Sequence, residues 1–404
     1  LFCPQDDAVP SQTLSSASGS LALVGGTIYT SPTEETVQDG VVLIEDGKIV
    51  GVGPRASIQL PQSSDALDCS GLTITAGFWN SHVHFFERKW ADAETIPAAE
   101  LGQQLQEMLT RYGFTSAFDT GSMWANTRVI RERIESGEVP GPRIHSTGEA
   151  LVARGAIPPE MVFNLMGSMT FPAPEIADEA HARAASRKLL DEGVDAIKLH
   201  LQSPPAPHSP FPESAMSAVV NEAHRSGRPV FVHPNTSADV LASVRAGVDV
   251  IGHTTPRSGP WDEKILEAMT RGRVALTPTL TLWKSFLRHD RISMQGEMVD
   301  TAVGQLRAWA VSGGAVLFGT DLGAVDYDPR EEYALMAQAG LSFREILASL
   351  TVAPAERFGE TERLGRIVPG LEADLVVLKG DPAVDIRALT DVKFTLRSGK
   401  VLYR

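Results

Sequence analysis

The chain has 404 residues, 43% of them hydrophobic, with 36 basic and 50 acidic side chains that leave a formal charge of -14. That length exceeds one small core but accommodates a barrel of about 250 residues with an accessory domain. The acidic balance excludes a nucleic-acid partner, which needs a basic face, while leaving a small-molecule substrate open. No apolar run reaches the length of a membrane span, and two cysteines, Cys3 and Cys69, exclude a disulfide framework and a cysteine zinc site.

Residues 1–20 are polar, Ser-rich and without periodicity, and read as an N-terminal arm or linker. They have the texture of the end of an export signal followed by a linker, so an exported, periplasmic or secreted chain is expected over a cytoplasmic one. From Leu21 the pattern turns to short strands. LALVGGTIYT and VVLIEDGKIVGVG are β-rich, and Glu45-Asp46-Gly47-Lys48 is a hairpin signal. The same texture returns in Ala373-Asp374-Leu375-Val376-Val377-Leu378 and in Lys393–Leu402. Residues 21–71 and 365–404 are therefore expected to form one composite β-sandwich domain from both chain ends.

After a turn at Gly71, the run from Leu72 leads into Ala76-Gly77-Phe78-Trp79-Asn80-Ser81-His82-Val83-His84. Side chains alternate along a strand, so His82 and His84 share one face with Val83 on the other. Two imidazoles on one face can hold a divalent ion between them. Across residues 72–364 strand-like and helix-like runs alternate, which implies a parallel sheet with helical crossovers. The candidate strands are Ile74–His84, Ser116–Thr120, Arg143–Thr147, Ala196–Leu201, Pro229–His233, Val250–His253, Ala275–Thr279 and Val316–Thr320. Eight is the number that closes a (β/α)8 TIM barrel, so the chain is read as α/β. Helical runs such as Ala180–Glu192 and Glu213–Ser226 stop at Gly193 and Gly227.

In such barrels the chemistry gathers at the C-terminal strand ends. Lys198, His233, His253 and Asp321 all fall there. Packing alone does not explain five strands that end in metal-compatible residues. His200 lies two positions beyond Lys198 and shares its face, nearer the mouth. His145, Arg257, which could hold a carboxylate, and Tyr327 are further candidates for substrate contact.

This pattern resembles the amidohydrolase superfamily over nearly the whole chain. The likeness rests on His82 and His84 on the first strand, Lys198 on the fourth, His233 and His253 on the fifth and sixth, and Asp321 on the eighth. The flanks are similar too. Gly77–Ser81 stands where the family has a Pro-Gly-led segment, with Ala76 in place of the proline, and Thr351–Glu356 stands where an Asn-Pro-Ala turn is common, with Ala353 in place of Asn. Gly365–Leu378 resembles the family's return to its β-domain.

The branch looks like the imidazolonepropionase-like and Xaa-Pro dipeptidase-like group, in which the strand 4 lysine is carboxylated. The resemblance implies two divalent metal ions, zinc first with manganese, cobalt or iron also fitting. His82, His84 and Asp321 would hold one ion and His233 and His253 the other, bridged by a carbon dioxide-derived carbamate on Lys198. It implies hydrolysis of an amide-like C–N bond by activated water, with Asp321 as proton acceptor. The substrate would be a dipeptide, an N-acyl amino acid or a cyclic amide, with a lactone or a phosphoester as the alternative. A non-catalytic scaffold would have lost ligands, and none of the six is missing. Relatives of this type often associate, so a homo-oligomer is also expected.

Overall fold

The computed structural model describes residues 19–155, 173–201, 211–286, 292–323 and 325–404. The arm expected over residues 1–20 lies outside the described residues, save for its last two. The chain opens with β1 (Leu21–Ile28), β2 (Val37–Glu45), β3 (Lys48–Pro54), β4 (Asp65–Asp68) and β5 (Thr73–Ala76). β2 and β3 form a hairpin closed by Asp46 (φ 47°) and Gly47 (φ 77°), both in the positive-φ conformation that a two-residue turn demands.

The last three strands, β16 (Leu375–Leu378), β17 (Val392–Arg397) and β18 (Lys400–Tyr403), join these five. They make one continuous hydrogen-bonded sheet of order β18-β17-β16-β5-β1-β2-β3, with β4 also paired to β1. The seam between the two chain ends is β5 against β16, antiparallel from Ala76↔Leu375 to Thr73↔Leu378. Leu23, Val42, Ile44 and Ile49 from the first half share one core with Leu375, Val377 and Leu396 from the second. Neither half could bury its apolar face alone.

Between these ends run ten strands: β6 (Phe78–Val83), β7 (Phe114–Asp119), β8 (Arg143–Ser146), β9 (Leu151–Ala153), β10 (Glu175–Ile176), β11 (Ile197–His200), β12 (Val230–His233), β13 (Val250–Gly252), β14 (Ala275–Thr277) and β15 (Ala315–Val316). All their pairings are parallel, in one sheet of order β6-β7-β8 and another of order β10-β9-β11-β12-β13-β14-β15. Helices lie between β6 and β7, between β7 and β8, and between each successive pair from β10 to β15, the kind of crossover that parallel pairing requires. Asp195 N donates to Ser146 O at 2.8 Å, beside the start of β11. Beyond β15, Ser81 N donates to Phe318 O, Asp321 N to His82 O and His84 N to Leu322 O, at 2.7–2.8 Å. Residues 318–322 therefore lie along β6.

The run expected as one strand, Ile74–His84, is two strands in two sheets. The switch is at Gly77, whose amide donates to Asp374 O in the first sheet, while the next amide, Phe78 N, donates to Gly113 O in the second. A Cβ at Gly77 would stand 2.2 Å from Thr115 Oγ1, so only glycine fits the crossing. Two short strands, β9 and β10, were not anticipated. β10 is the edge of its sheet and β9 lies between it and β11, and at two or three residues both are too short for periodicity to reveal.

Arg143 ties the parallel region to the chain's return. Its guanidinium is buried and reaches Asp374 at 2.9 Å and Glu372 at 2.6 Å. Arg143→Ala leaves Asp374, 5% exposed, without its cation, while Glu372 keeps Arg363 at 2.7 Å. Breaking a buried pair from one side costs about 3 kcal/mol or more. Urea unfolding of this variant is expected to show that loss, and an unchanged midpoint would mean that the pair contributes nothing.

Candidate active site

Seven of the ten candidate residues come together around the ends of the parallel strands. His82 is fully buried near the end of β6, and His84 follows it with ring centroids 5.4 Å apart. Asp321 Oδ1 lies 2.8 Å from His84 Nε2 and 3.5 Å from His82 Nε2. The His253 ring stands 4.5 Å from His82 and 4.5 Å from His233. One ligand-type atom each from His82, His253 and Asp321 lie within 4.8 Å of one another. His200 is the register partner of His233 across β11 and β12, and their rings stack at 4.2 Å and 8°. Lys198 is 2% exposed. A Cβ on Gly252 would stand 2.9 Å from His82 Cε1 and 3.2 Å from Lys198 Nζ, so a bare backbone at 252 lets both groups approach.

Burial sets the protonation states. It drives His82 and His233 far below the ordinary imidazole range, His200 to about 4 and His253 to about 3. These imidazoles are neutral near pH 7 and carry a free lone pair. Burial also brings the Lys198 amine down to about 7, against the pull of Asp321 and Asp119. Burial would raise Asp321, but contact with His84 outweighs it and holds the carboxyl below its usual range. His82 Nε2, His84 Nδ1, Lys198 Nζ and His200 Nδ1 are buried and have no hydrogen-bond partner among the described residues. Native interiors rarely leave such atoms unpaired, because each costs free energy. Four in one place are the donor set of a site that receives something else.

A layer of threonines and one asparagine orients this set. Thr277 Oγ1 donates to Ile251 O at 3.3 Å, which leaves it an acceptor towards His82 Nδ1 at 3.4 Å. The proton therefore belongs on Nδ1, and Nε2 keeps the lone pair that faces the cluster. Thr279 Oγ1 stands 2.5 Å from His253 Nδ1. Asn80 donates to Thr320 Oγ1 at 2.8 Å and accepts from the amides of His82 and Thr320. His253 (φ 78°), Thr279 (φ 43°) and Asp321 (φ 65°) are all left-handed without being glycine. Such conformations cost on the order of 1–3 kcal/mol each and concentrate at functional sites.

Three expected substrate contacts do not join the cluster. His145 stacks on Trp79 at 5.3 Å and on Phe118 at 5.5 Å, with Nε2 3.9 Å from Glu360. Phe118 packs on Phe231, two residues before His233, so His145 lies a layer deeper than the strand ends. Arg257 is exposed in the single turn Pro256–Ser258. Tyr327 is half-buried and engaged within the protein. Its hydroxyl donates to Glu87 and accepts from Lys89, whose ammonium stands 4.4 Å from the Tyr327 ring. It joins the segment after His84 to the segment after Asp321. Of the residues not foreseen, Thr277 and Thr279 could have been found by the strand-end rule that picked out the histidines. Asn80 carried no signal beyond its place before the paired histidines.

Parallel strands that end in a buried set of unpaired imidazoles, a carboxylate and a low-pKa lysine define an enzyme. The chain belongs to the amidohydrolase family, whose sequence profile matches residues 73–403, and it is a hydrolase acting on carbon–nitrogen bonds. It is similar to the ochratoxinase of Aspergillus niger, 23% identical over 398 residues that cover 89% of this chain and 81% of the relative. Among solved structures it resembles a Bifidobacterium longum protein assigned as a prolidase, with a TM-score of 0.80 and 26% identity over 96% of this chain and 95% of the other. It also resembles a Xaa-Pro dipeptidase with methionine bound in its active site, with a TM-score of 0.79 and 21% identity over 95% of this chain and 99% of the other.

Proposed function

We propose that this chain is a metal-dependent amidohydrolase that cleaves an amide-like C–N bond in a dipeptide or an N-acyl amino acid, with cyclic amides in the same class. The observation that carries the reading is the set of buried ligand-type atoms without partners among the described residues, beside the mutually close ligand atoms of His82, His253 and Asp321. The kinship with an ochratoxinase, a prolidase and a Xaa-Pro dipeptidase favours substrates with an amino-acid leaving group. The composite sheet of residues 21–71 and 365–404 is read as an accessory β-sandwich domain. The region 72–364 is read as a barrel, a reading supported by the bonds from Asp195 to Ser146 and from residues 318–322 to β6.

In this reading His82, His84 and Asp321 would hold one divalent cation and His233 and His253 a second, zinc first. The cations would supply an activated water and polarise the scissile carbonyl. Lys198, neutral above about pH 7, adds its amine nitrogen to the carbon of carbon dioxide and releases a proton, leaving a carbamate as an anionic ligand. Asp321 accepts a proton from the attacking water and returns it to the departing nitrogen. His200, beside His233 and less buried than Lys198, lines the substrate side.

Metal analysis of the purified chain, with a hydrolysis screen over dipeptides, N-acyl amino acids, lactones and phosphotriesters, tests this reading. Bound divalent metal and chelator-sensitive turnover of the first two classes are expected. Turnover confined to lactones or phosphotriesters, or turnover unaffected by complete metal removal, would overturn it.

A further inference from the structure

The turn beside His253 is held from a distance by one carboxylate. Thr279 is β-branched and left-handed, a combination that persists only where the surroundings over-determine it. Its hydroxyl is 2.5 Å from His253 Nδ1, and His253 is itself left-handed. The next two residues, Leu280 and Thr281, open the short helix Leu280–Phe286. Both their amides donate to Glu332, Leu280 N to Oε1 at 2.8 Å and Thr281 N to Oε2 at 2.9 Å, and the Thr281 hydroxyl donates to Oε2 at 2.9 Å. Glu332 is fully buried on the helix Arg330–Gln338, which begins a few residues after Asp321. A carboxylate that accepts from two successive amides fixes the orientation of both peptide planes, and therefore ψ of the residue before them.

We propose that Glu332 is a positioning residue for His253: it clamps Leu280 and Thr281, which holds Thr279 left-handed with its hydroxyl on Nδ1, so that the other ring nitrogen is left for the cluster. Because Glu332 and Asp321 lie on one connected segment, the same clamp couples the strand end that carries Asp321 to the one that carries Thr279. The inference rests on the reading of His253 as a metal ligand.

The test measures zinc affinity of the metal-stripped chain by chelator competition, for wild type, Glu332→Gln, Thr279→Val and the double variant. Histidine 15N NMR of the metal-free chain, which reports the tautomer of each ring, is run in parallel. Glutamine keeps the volume but presents an amide donor where a second acceptor is needed. Each single variant is expected to weaken zinc binding 10–100-fold, the scale for lost orienting partners. The double variant should be no weaker than the worse single, and Thr279→Ser should restore wild-type affinity. Thr281→Val, which deletes only the hydroxyl bond, should give a smaller loss of the same sign and serves if Glu332→Gln does not fold. The His253 nitrogen shifts should move in Glu332→Gln without metal present. Additive losses, or unmoved His253 shifts, would overturn the proposal. If the shifts move while His253→Ala binds zinc as tightly as wild type, the positioning role stands and the ligand reading of His253 falls.

Discussion

On the proposed reading, Lys198→Ala is expected to lose nearly all hydrolysis and part of its bound metal, and to regain part of both when formate or acetate is added. A lysine ammonium buried beside imidazoles is costly even with Asp321 and Asp119 near, and burial lowers its pKa to about 7 while Nζ has no hydrogen-bond partner among the described residues. The neutral amine is the form that reacts with carbon dioxide. Its fraction is half at about pH 7, falls below that pH and rises above it. Reconstitution of the metal-stripped enzyme at a fixed concentration of dissolved carbon dioxide should therefore accelerate from pH 6 to pH 8 and then level off. A short carboxylate supplies the two oxygens that alanine cannot, and the deleted side chain leaves room for it. Electron density that ends at a plain amine, in a metal-replete crystal equilibrated with carbon dioxide, would remove the carbamate.

Asp321→Asn is expected to keep much of its metal while losing a hundredfold to ten-thousandfold of its turnover, the range that a placed proton-transfer group contributes. The amide still offers one oxygen but cannot accept a proton. The geometry makes the distinction sharp, because Asp321 Oδ1 touches both paired histidines and its carboxyl is held deprotonated by His84. Its backbone, left-handed at φ 65° and tied by its amide to His82 O, is set independently of the side-chain charge. The variant should therefore fold as wild type does. Unchanged turnover in a metal-replete Asp321→Asn enzyme would leave Asp321 as a ligand only.

How far the site could be read from the sequence follows from what each residue answers to. His84, His233, His253 and Asp321 stand at or just beyond strand ends, which are legible because short apolar runs stop there, whereas His82 and Lys198 lie inside β6 and β11 and were legible from alternation along the strand. His200 was legible from alternation along β11. His145 obeys the same alternation, yet one layer of depth separates it from the cluster, and periodicity of two carries no information about depth. Arg257 was chosen for its chemistry alone, and its exposure depends on a turn that the sequence does not specify. Tyr327 was legible only as a candidate near Asp321 in sequence, and its engagement with Glu87 and Lys89 is a contact across most of the chain. The Gly77 crossing was hidden for the opposite reason: apolar residues run through it without a break, and only the crowding of Thr115 reveals that the chain changes sheets there. Glu332 reads locally as an ordinary acid in the first turn of a helix, and nothing nearby announces its bonds to residues fifty positions earlier.

The antiparallel seam between β5 and β16 has a consequence for how the protein is made. During synthesis β5 leaves the ribosome with β1 on one side and nothing on the other, and it stays an open edge until almost the whole chain has followed. An apolar strand edge left open that long invites pairing with another nascent chain. The parallel region can gather early from near neighbours, but completion of the sheet must wait for the last strands and then close over a very long loop. A chain stopped before Leu375 would therefore aggregate rather than fail silently, and the cell would meet premature termination as a problem of solubility before one of lost activity.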